Sequence, residues 1–520
     1  MSVVLTRLSI SFLVLAIDAW HIFLETDGAQ ILAVVPDPWT SQCNVLKGMF
    51  RALTDRGHNV TVFTFFVDGD RQNYNEVHLS NATYSVNVDM DFQEINNWYI
   101  TPISSFSAEL NTTRNICQVV YNDDRMREIL SKGENSHFDL VITETLPTSC
   151  MDNVAATLKL PMIYIMPSVM LTYLERALYG HMPNPAVSSH LTAPYAWPKS
   201  FRERLTNTFI YLGSLYVLAR SENGLKKTNP HPFDNMQPVE SSLTFGNIYY
   251  ITEPSRPLPP NFIGVGGIHL VSSKPLPNDI LEFIENSPHG VIYFTFGSVV
   301  SMSTLPDHIQ KAFKEALAQV PQRVLWKYEG EMKDKPANVM TSKWFPQRDI
   351  LLHPNVKLFI SHGGISGVYE AVDAGVPVLG FPLFYDQPRN IENLVEAGMA
   401  ISLDLLKVTK KPFLDAVTEL INNKSYAENA KITSERFKDR PMTPAESVVY
   451  WTEYVIRHKG APHLRSHALD LTWYQYFLLD VIAALLLALS IAGYVAYKVL
   501  KLIYSLASGQ LLKNTKHKAE

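Results

Sequence analysis

Polar and aromatic side chains between residues 342 and 390 carry the groups in this chain that can do chemistry. An indole offers a flat face on which a planar ring can stack, and a side-chain amide can both donate and accept hydrogen bonds. Glycines let backbone N–H groups approach an anion, and the positive end of a helix favours its charge. In chain order these residues are Trp344, Gln347, His362, Gly364, Ser366, Gly367, Glu370, Asp386 and Gln387.

The order of these groups matches the order of the parts of a nucleotide sugar. Trp344 and Gln347 suit a base, and the glycines beside His362 suit a diphosphate. Glu370 lies one helical turn after Ser366 and can accept both hydroxyls of a ribose. Asp386 and Gln387 can hold sugar hydroxyls. Each motif alone is more typical of an ordinary strand-to-helix loop. Their order and spacing together predict a nucleotide-sugar site.

With these motifs in this order, the sequence resembles the UDP-glycosyltransferases, the glucosyl- and glucuronosyltransferases that conjugate small lipophilic molecules. It is most similar to the membrane-bound insect enzymes, from about residue 29 to residue 500. The resemblance implies an α/β fold of two Rossmann-like doubly wound domains facing a cleft (GT-B type), with a C-terminal transmembrane helix. It also implies that UDP leaves in a direct, inverting displacement at the anomeric carbon, with no metal or other cofactor.

Other segments agree with this resemblance. Residues 290–298 read as a buried parallel strand that ends in a Gly-Ser turn, so Ser298 is expected to face the phosphates. Lys327 occupies the place of a basic residue that the family uses near the diphosphate, although a solvated lysine at a strand end is the alternative. The Pro- and Gly-rich residues 256–270 resemble the interdomain crossing. We therefore expect an acceptor-binding domain at 30–255 and a UDP-sugar-binding domain at 256–455.

Composition is consistent with a two-domain globular protein. A chain of 520 residues is too long for one core, since cores stop growing near ~250–300 residues. The 45 Lys and Arg against 50 Asp and Glu give a net charge of −5, with no basic stripe, so nucleic acid is not an expected partner. With 3 cysteines, one disulfide at most can form.

The two ends of the chain carry targeting and membrane signals. Residues 1–29 resemble a signal peptide with an uncertain cleavage site, and 456–476 form a juxtamembrane segment. Residues 477–500 are long and apolar enough to cross a membrane, with a buried helix of the soluble part as the competing interpretation. Aromatic residues precede this span and lysines follow it, so the tail at 501–520 is predicted to be cytosolic and the domains lumenal. Lys516 and Lys518 resemble a dilysine retrieval signal of the endoplasmic reticulum membrane.

Four Asn-x-Ser/Thr sequences are candidate glycosylation sites in a lumenal chain. Asn59 begins a strand-like run and is the least accessible candidate in this interpretation. The others are Asn81, Asn111 and Asn423.

The first half of the chain alternates strand and helix patterns, with strands expected at 30–35, 59–66 and 138–143 and a helix at 44–56. Catalytic groups then belong on loops at the carboxyl ends of the strands, such as 36–42. In most members of the family this loop ends in Ser-His, and a carboxylate orients the histidine base. Here the pair is Ser41-Gln42, with Glu144 at the carboxylate position. Glutamine cannot take a proton near neutral pH.

Three functions remain open from the sequence. The first is an active transferase that conjugates small lipophilic acceptors in detoxification or in hormone or pigment conjugation. The proton of the acceptor would pass to Glu144 or to water. No base would be needed if the acceptor is an amine or an acidic phenol. The second is a UDP-sugar-binding pseudoenzyme that modulates other membrane transferases. The third is a sugar-phosphate epimerase, which the lumenal signals disfavour.

The sequence also indicates which molecules the chain binds. The resemblance favours UDP-glucose as the donor, with UDP-glucuronate as the alternative. Residues 170–220 are expected to form part of the acceptor pocket or to serve as ordinary packing. Membrane lipid is a further expected partner, and a homo- or hetero-oligomer remains possible.

Overall fold

The computed structural model describes residues 28–516 except 38–39, 80–90, 92–101, 147, 236–238 and 299. The predicted signal peptide lies almost entirely outside these residues, as do Asn81 and Lys518. The described residues form two parallel sheets with helices packed on them.

The first sheet has seven strands in the order β3-β2-β1-β4-β5-β6-β7, and all described neighbours run parallel. The central strands at 30–34, 140–144, 162–166 and 243–246 are buried almost throughout because both faces are covered, whereas the edge strand at 74–78 combines buried and exposed residues. The strands of this sheet are β1 (Gln30–Val34), β2 (Asn59–Thr64), β3 (Tyr74–His78), β4 (Leu140–Glu144), β5 (Met162–Met166), β6 (Leu243–Gly246) and β7 (Phe262–Gly264).

The second sheet has six parallel strands in the order β10-β9-β8-β11-β12-β13. The strand predicted at 290–298 is present, and the residues that follow it form the expected Gly-Ser turn. The strands are β8 (Val291–Thr295), β9 (Arg323–Lys327), β10 (Val339–Ser342), β11 (Val356–Ser361), β12 (Val378–Gly380) and β13 (Ala400–Ser402).

The helices of the first domain are α1 (Thr40–Asp55), α2 (Pro102–Asn122), α3 (Asp124–Lys132), α4 (Asp152–Leu158), α5 (Glu175–Tyr179) and α6 (Phe201–Thr228). Those of the second are α7 (Asn278–Glu285), α8 (Asp307–Leu317), α9 (Gln347–Leu351), α10 (Ile365–Ala374), α11 (Gln387–Glu396), α12 (Lys410–Asn422) and α13 (Lys424–Lys438). The chain continues with α14 (Pro444–Arg457), α15 (Trp473–Tyr476) and α16 (Leu479–Lys516).

Both boundaries predicted for the second domain, at residues 256 and 455, differ in the structure. Strand β7 pairs with β6, so the first domain extends beyond residue 256 to at least Gly264. Helix α14 was predicted to belong to the second domain, but its Val448 and Val455 are buried in the core of the first. The side chain of Arg56, after α1, also pairs with Glu453 on α14 at 3.0 Å. Burial of the apolar face of α14 against the first domain explains the difference.

A cluster of aromatic rings fills the core of the second domain. Phe313 on α8 is fully buried and lies 4.8 Å from Phe413 and 5.4 Å from Phe381, measured between ring centroids. Phe294 stacks on Trp326 at 4.7 Å. Rings at these separations gain stability beyond the area that they bury.

Helix α16 begins close to the predicted start of the membrane span but is longer than predicted. Within Leu479–Ser508, a window of 18 residues has a mean hydropathy of 2.2 and none of it is buried, so by length and composition this helix can cross a membrane. Lys498 and Lys501, predicted to flank the span, lie on the helix itself.

The cysteines agree with the predicted limit of one disulfide. Cys117 on α2 and Cys150 form it, with 6.3 Å between their Cα atoms. Cys43 on α1 remains a buried thiol.

We predict that Phe313→Ala destabilises the protein by about 3–5 kcal/mol, because it removes a fully buried ring from the aromatic core. The free energy of unfolding in denaturant is the measurement. Leu406→Ala is the control, since Leu406 is 39% exposed and its truncation should change stability by less than about 0.5 kcal/mol. Equal effects of the two substitutions would contradict the importance of this cluster.

Candidate active site

A cavity of about 540 Å³ lies between the carboxyl ends of the two sheets. It brings together every residue that the sequence predicted for a nucleotide sugar, although these come from separate loops and helices. They are Ser298, Lys327, Trp344, Gln347, His362, Gly364, Ser366, Gly367, Glu370, Asp386 and Gln387. Gln42 lines the same cavity from the first domain, whereas Glu144 does not.

A flat aromatic surface stands at one end of this group. Trp344 follows β10 and is 69% exposed, so its indole face is open to a ligand. Ser342 fixes the turn, because its hydroxyl donates to the carbonyl of Trp344 at 2.8 Å. Gln347 opens α9 three residues further on. The arrangement allows a base to stack on the indole while the amide reaches its edge.

Glu370 lies beside this amide on α10. The Nε2 of Gln347 donates to the Oε2 of Glu370 at 2.5 Å. Burial raises the pKa of Glu370 to about 7, and the hydrogen bond from Gln347 opposes the shift. A carboxylate of this kind can accept two hydroxyls of a diol, but it loses that capacity once it is protonated.

The start of α10 offers donors to an anion. Gly364 is its N-cap residue, and no side chain caps the helix. The Oγ of Ser366 and the Nδ1 of His362 are buried and have no hydrogen-bond partner among the described residues. Unsatisfied polar atoms next to a helix N-terminus are a suitable place for a phosphate group.

Two glycines hold the ring of His362 between them. A Cβ on Gly297 would lie 2.6 Å from the Cε1 of His362, and a Cβ on Gly364 would lie 2.6 Å from its Nε2. Gly297 also has a φ of +79°, which disfavours other residues. Burial lowers the pKa of His362 to about 4, and the charge of Lys327 adds to this shift. The imidazole is therefore neutral near pH 7 and donates through one N–H.

Lys327 and Ser298 line the cavity next to this ring. Lys327 is the last residue of β9 and is largely buried. Its Nζ lies 2.7 Å from the Oε1 of Glu329, so part of its charge is already compensated. Burial and this ion pair argue against the alternative of a solvated lysine, and the role of Lys327 near a diphosphate stays a prediction.

The pair Asp386-Gln387 begins α11, as predicted, but its acceptors are partly occupied. The Oδ2 of Asp386 accepts from the Nδ2 of Asn390 at 2.7 Å. The Oε1 of Gln387 accepts from the backbone N–H groups of Leu383 at 3.0 Å and Phe384 at 3.3 Å. Gln387 can therefore contribute its NH₂ group to a sugar, whereas the sequence predicted an acceptor.

The first domain lines the other half of the cavity, where the sequence predicts the acceptor to bind. Helix α1 begins at Thr40 and not near residue 44 as predicted, so Gln42 lies in a helical turn and not in a loop. The region predicted at 170–220 contributes Leu171 and Leu191, while α6 contributes no lining residue among those described.

Glu144 is at the carboxyl end of β4, but it does not have the surroundings of a proton acceptor for a bound substrate. It is 2% exposed, and its Oε1 accepts from the backbone N–H of Asp37 at 2.6 Å. Burial raises its pKa well above the usual value, and the charge of Asp37 adds to the shift. In this structure Glu144 holds the loop after β1 through Oε1, while Oε2 has no hydrogen-bond partner among the described residues, and its role as a proton acceptor stays a prediction.

Among the lining residues that the sequence analysis did not identify, two form a polar contact across the cavity. Glu109 on α2 and Tyr385 before α11 both line the cavity, and the hydroxyl of Tyr385 donates to the Oε2 of Glu109. Glu109 stands in a mixed polar helix without a recognisable motif. The one available signal was the position of Tyr385 directly before Asp386.

Two doubly wound domains with a cavity at the carboxyl ends of their strands define the GT-B fold. Solved structures with this fold include spinosyn forosaminyltransferase SpnP, with a TM-score of 0.53, 17% identity and coverage of 82% of this chain and 99% of that one. Glycosyltransferase VinC also has a TM-score of 0.53, with 16% identity and coverage of 83% and 99%.

Sequence comparison identifies the family. The family model "UDP-glucoronosyl and UDP-glucosyl transferase" matches residues 30–514, and the chain belongs to this family. UDP-glucosyltransferase 2 of Dactylopius coccus is 40% identical over 487 residues, which cover 91% of this chain and 93% of the relative. UDP-glucuronosyltransferase 2B13 of Oryctolagus cuniculus is 32% identical, with coverage of 89% and 91%. The protein is therefore a UDP-glycosyltransferase.

We predict that Trp344→Ala weakens UDP binding by roughly 1–3 kcal/mol, the range for loss of a base–aromatic stack. Isothermal titration calorimetry measures the affinity. Trp473→Ala is the control, because Trp473 is 67% exposed but does not line the cavity. Unchanged affinity in the Trp344 variant would reject the stacking role.

We also predict that UDP binding weakens as the pH falls from about 8 to about 6, by up to about tenfold per pH unit below the pKa of Glu370. The carboxylate that accepts the ribose hydroxyls is present above a pKa of about 7 and is lost below it. Titration calorimetry at several pH values tests this. Glu370→Gln should remove this part of the dependence while the titration of the UDP phosphates remains. An identical pH profile in both proteins would exclude the role of Glu370.

Proposed function

We propose that the chain transfers glucose from UDP-glucose to small lipophilic acceptors, in detoxification or in hormone or pigment conjugation. The observation that carries this proposal is one cavity that holds an open indole, unsatisfied polar atoms at a helix start and the half-buried carboxylate of Glu370. The glucosyltransferase name of the Dactylopius coccus relative favours glucose over glucuronic acid.

In the proposed complex, uracil stacks on Trp344 and the ribose hydroxyls donate to Glu370. The diphosphate takes hydrogen bonds from the start of α10, from Ser366 and from neutral His362. These donors stabilise the charge that develops as UDP leaves, and no step needs a metal ion. The acceptor oxygen attacks the anomeric carbon from the side of the first domain, so the configuration at that carbon inverts.

The acceptor half of the cavity supports a lipophilic substrate. Its lining from the first domain includes four aliphatic side chains, those of Ile116, Leu146, Leu171 and Leu191. Burial of such side chains against an apolar acceptor contributes about 25 cal/mol per Å² of apolar area.

We further propose that α16 anchors the protein in the endoplasmic reticulum membrane as a single-pass type I protein, with the catalytic domains in the lumen and Lys516 and Lys518 in the cytosol. The disulfide Cys117–Cys150 is consistent with an oxidising compartment. Asn111 and Asn423 are exposed and open to glycosylation, whereas Asn59 is half-buried in β2.

The alternative proposal is a UDP-sugar-binding pseudoenzyme that modulates other membrane transferases. Gln42 is the observation that favours it, since a glutamine cannot act as the base that the family uses. The complete set of nucleotide-sugar residues is common to both proposals, so UDP binding alone does not separate them.

A transfer and hydrolysis assay with several UDP-sugars separates the two. We expect the wild-type chain to transfer glucose to phenols at a measurable rate and to prefer UDP-glucose to UDP-glucuronate. We expect Gln42→His to increase this rate, because it places an imidazole in the acceptor half of the cavity. A wild-type protein that binds UDP-glucose without turnover, combined with strong transfer by Gln42→His, would establish the pseudoenzyme.

A further inference from the structure

A hydrogen bond joins the two domains inside the cavity. Glu109 lies on α2 of the first domain, and Tyr385 lies on the loop before α11 of the second. The hydroxyl of Tyr385 donates to the Oε2 of Glu109, and both side chains line the cavity. The bond therefore spans the place where an acceptor held by the first domain meets a sugar held by the second.

The backbone of Tyr385 is in an uncommon conformation for a bulky residue. Its φ is +59°, in the left-handed region that bulky side chains rarely adopt. Gln387 holds this loop by accepting from the N–H of Phe384, and Asp386 follows directly. Strained residues of this kind persist where the surrounding structure fixes them, commonly at functional sites. Here the conformation places a phenol against a carboxylate of the opposite domain.

The electrostatics suit a carboxylate that exchanges a proton. Burial raises the pKa of Glu109, and the hydrogen bond from Tyr385 opposes that shift. Burial and the nearby charge of Glu109 raise the pKa of Tyr385 well above its usual value, with Tyr173 and Asp37 adding to it. Tyr385 therefore stays protonated near neutral pH and donates to the carboxylate. The other phenol that Glu109 influences, Tyr173, also stays protonated.

The other candidate groups are less well placed. Gln42 cannot take a proton, and Glu144 does not line the cavity. Among the described lining residues from the first domain, the carboxylates are Asp37 and Glu109. Of these, Glu109 has the contact with the residue next to Asp386, where the donor sugar is proposed to lie.

We propose that Glu109 is the general base that accepts the proton of the acceptor, and that Tyr385 is the positioning residue that holds its carboxylate. This rests on the proposed transfer from a UDP-sugar. The carboxylate accepts one side-chain hydrogen bond in the described structure, at Oε2, which leaves Oε1 for the acceptor.

The proposed step transfers the sugar to the acceptor and a proton to Glu109. The acceptor oxygen forms a bond to the anomeric carbon, and the bond from that carbon to the UDP oxygen breaks with its electron pair on UDP. The O–H bond of the acceptor breaks, and its proton passes to Glu109, which becomes a neutral carboxylic acid. Release of that proton to solvent restores the carboxylate.

The first test is Glu109→Gln, with transfer measured under saturating UDP-sugar. We expect kcat to fall by roughly 10²–10⁴-fold, the usual contribution of a general base. UDP affinity should not change, since the base, phosphate and ribose contacts remain. Glu128→Gln is the control, because Glu128 is an exposed glutamate on the neighbouring helix α3. Asp37→Asn is measured beside Glu109→Gln, because Asp37 is the other first-domain carboxylate that lines the cavity.

A rescue experiment separates a proton acceptor from a structural residue. The double variant Gln42→His/Glu109→Gln gains an imidazole in the same half of the cavity, so we expect it to recover much of the lost rate. The effect of Glu109→Gln should also shrink with a nitrophenol, which ionises readily and needs little help from a base. No rescue and an equal loss with every acceptor would mean that Glu109 only maintains the structure.

The pH dependence of kcat/KM tests the positioning role of Tyr385. For the wild type, kcat/KM should rise with pH through the raised pKa of Glu109, because the charged form is the active one. Tyr385→Phe removes a hydrogen bond that lowers this pKa, so the rising limb should move to higher pH. An unchanged profile would remove Tyr385 from the mechanism.

The outcomes distinguish this assignment from the proposed function. Full activity of Glu109→Gln, or a loss confined to Asp37→Asn, overturns the assignment and leaves UDP-glucose transfer intact. A wild-type chain that uses another UDP-sugar overturns the proposed donor alone, and the same variants are then compared with that donor. A wild-type chain that neither transfers nor hydrolyses any UDP-sugar overturns both.

Discussion

The packing of one histidine ring between two glycines is the constraint on which the rest of the cavity depends. Thr295 on β8 and Ser361 on β11 are paired neighbours, so the loops that follow them leave the sheet side by side. His362 fills the space between these loops, where a Cβ on Gly297 or Gly364 would collide with it. The loop geometry therefore fixes where α10 begins and where its unsatisfied N–H groups point.

Three carboxylates around this cavity differ in their roles, and the hydrogen-bond partner of each one decides its role. Glu370 faces the amide of Gln347 and is available to a diol. Glu144 faces a backbone N–H and fixes a loop. Glu109 faces a phenol from the other domain. Burial raises the pKa of all three, so titration alone would not distinguish them.

A family member that lacks the usual histidine need not lack catalysis. Removal of a general base typically costs about 10²–10⁴-fold, while electrostatic stabilisation of the leaving group is usually the larger contribution. In the proposed complex, the donors around α10 supply that stabilisation independently of Gln42. A carboxylate reached from another helix can then replace the base, because proton transfer depends on distance and protonation state and not on chain position.

The sequence by itself determined the two-domain α/β class and the donor half of the cavity. Its motifs from Trp344 to Gln387 are local, since each is a strand end followed by the start of a helix, and their chemistry is legible in the residue types. Tertiary structure alone decided three features: the return of α14 to the first domain, the burial of Glu144 away from the cavity, and the meeting of Glu109 with Tyr385. These depend on contacts between distant segments, and an isolated glutamate in a helix carries no local pattern that reveals its partner.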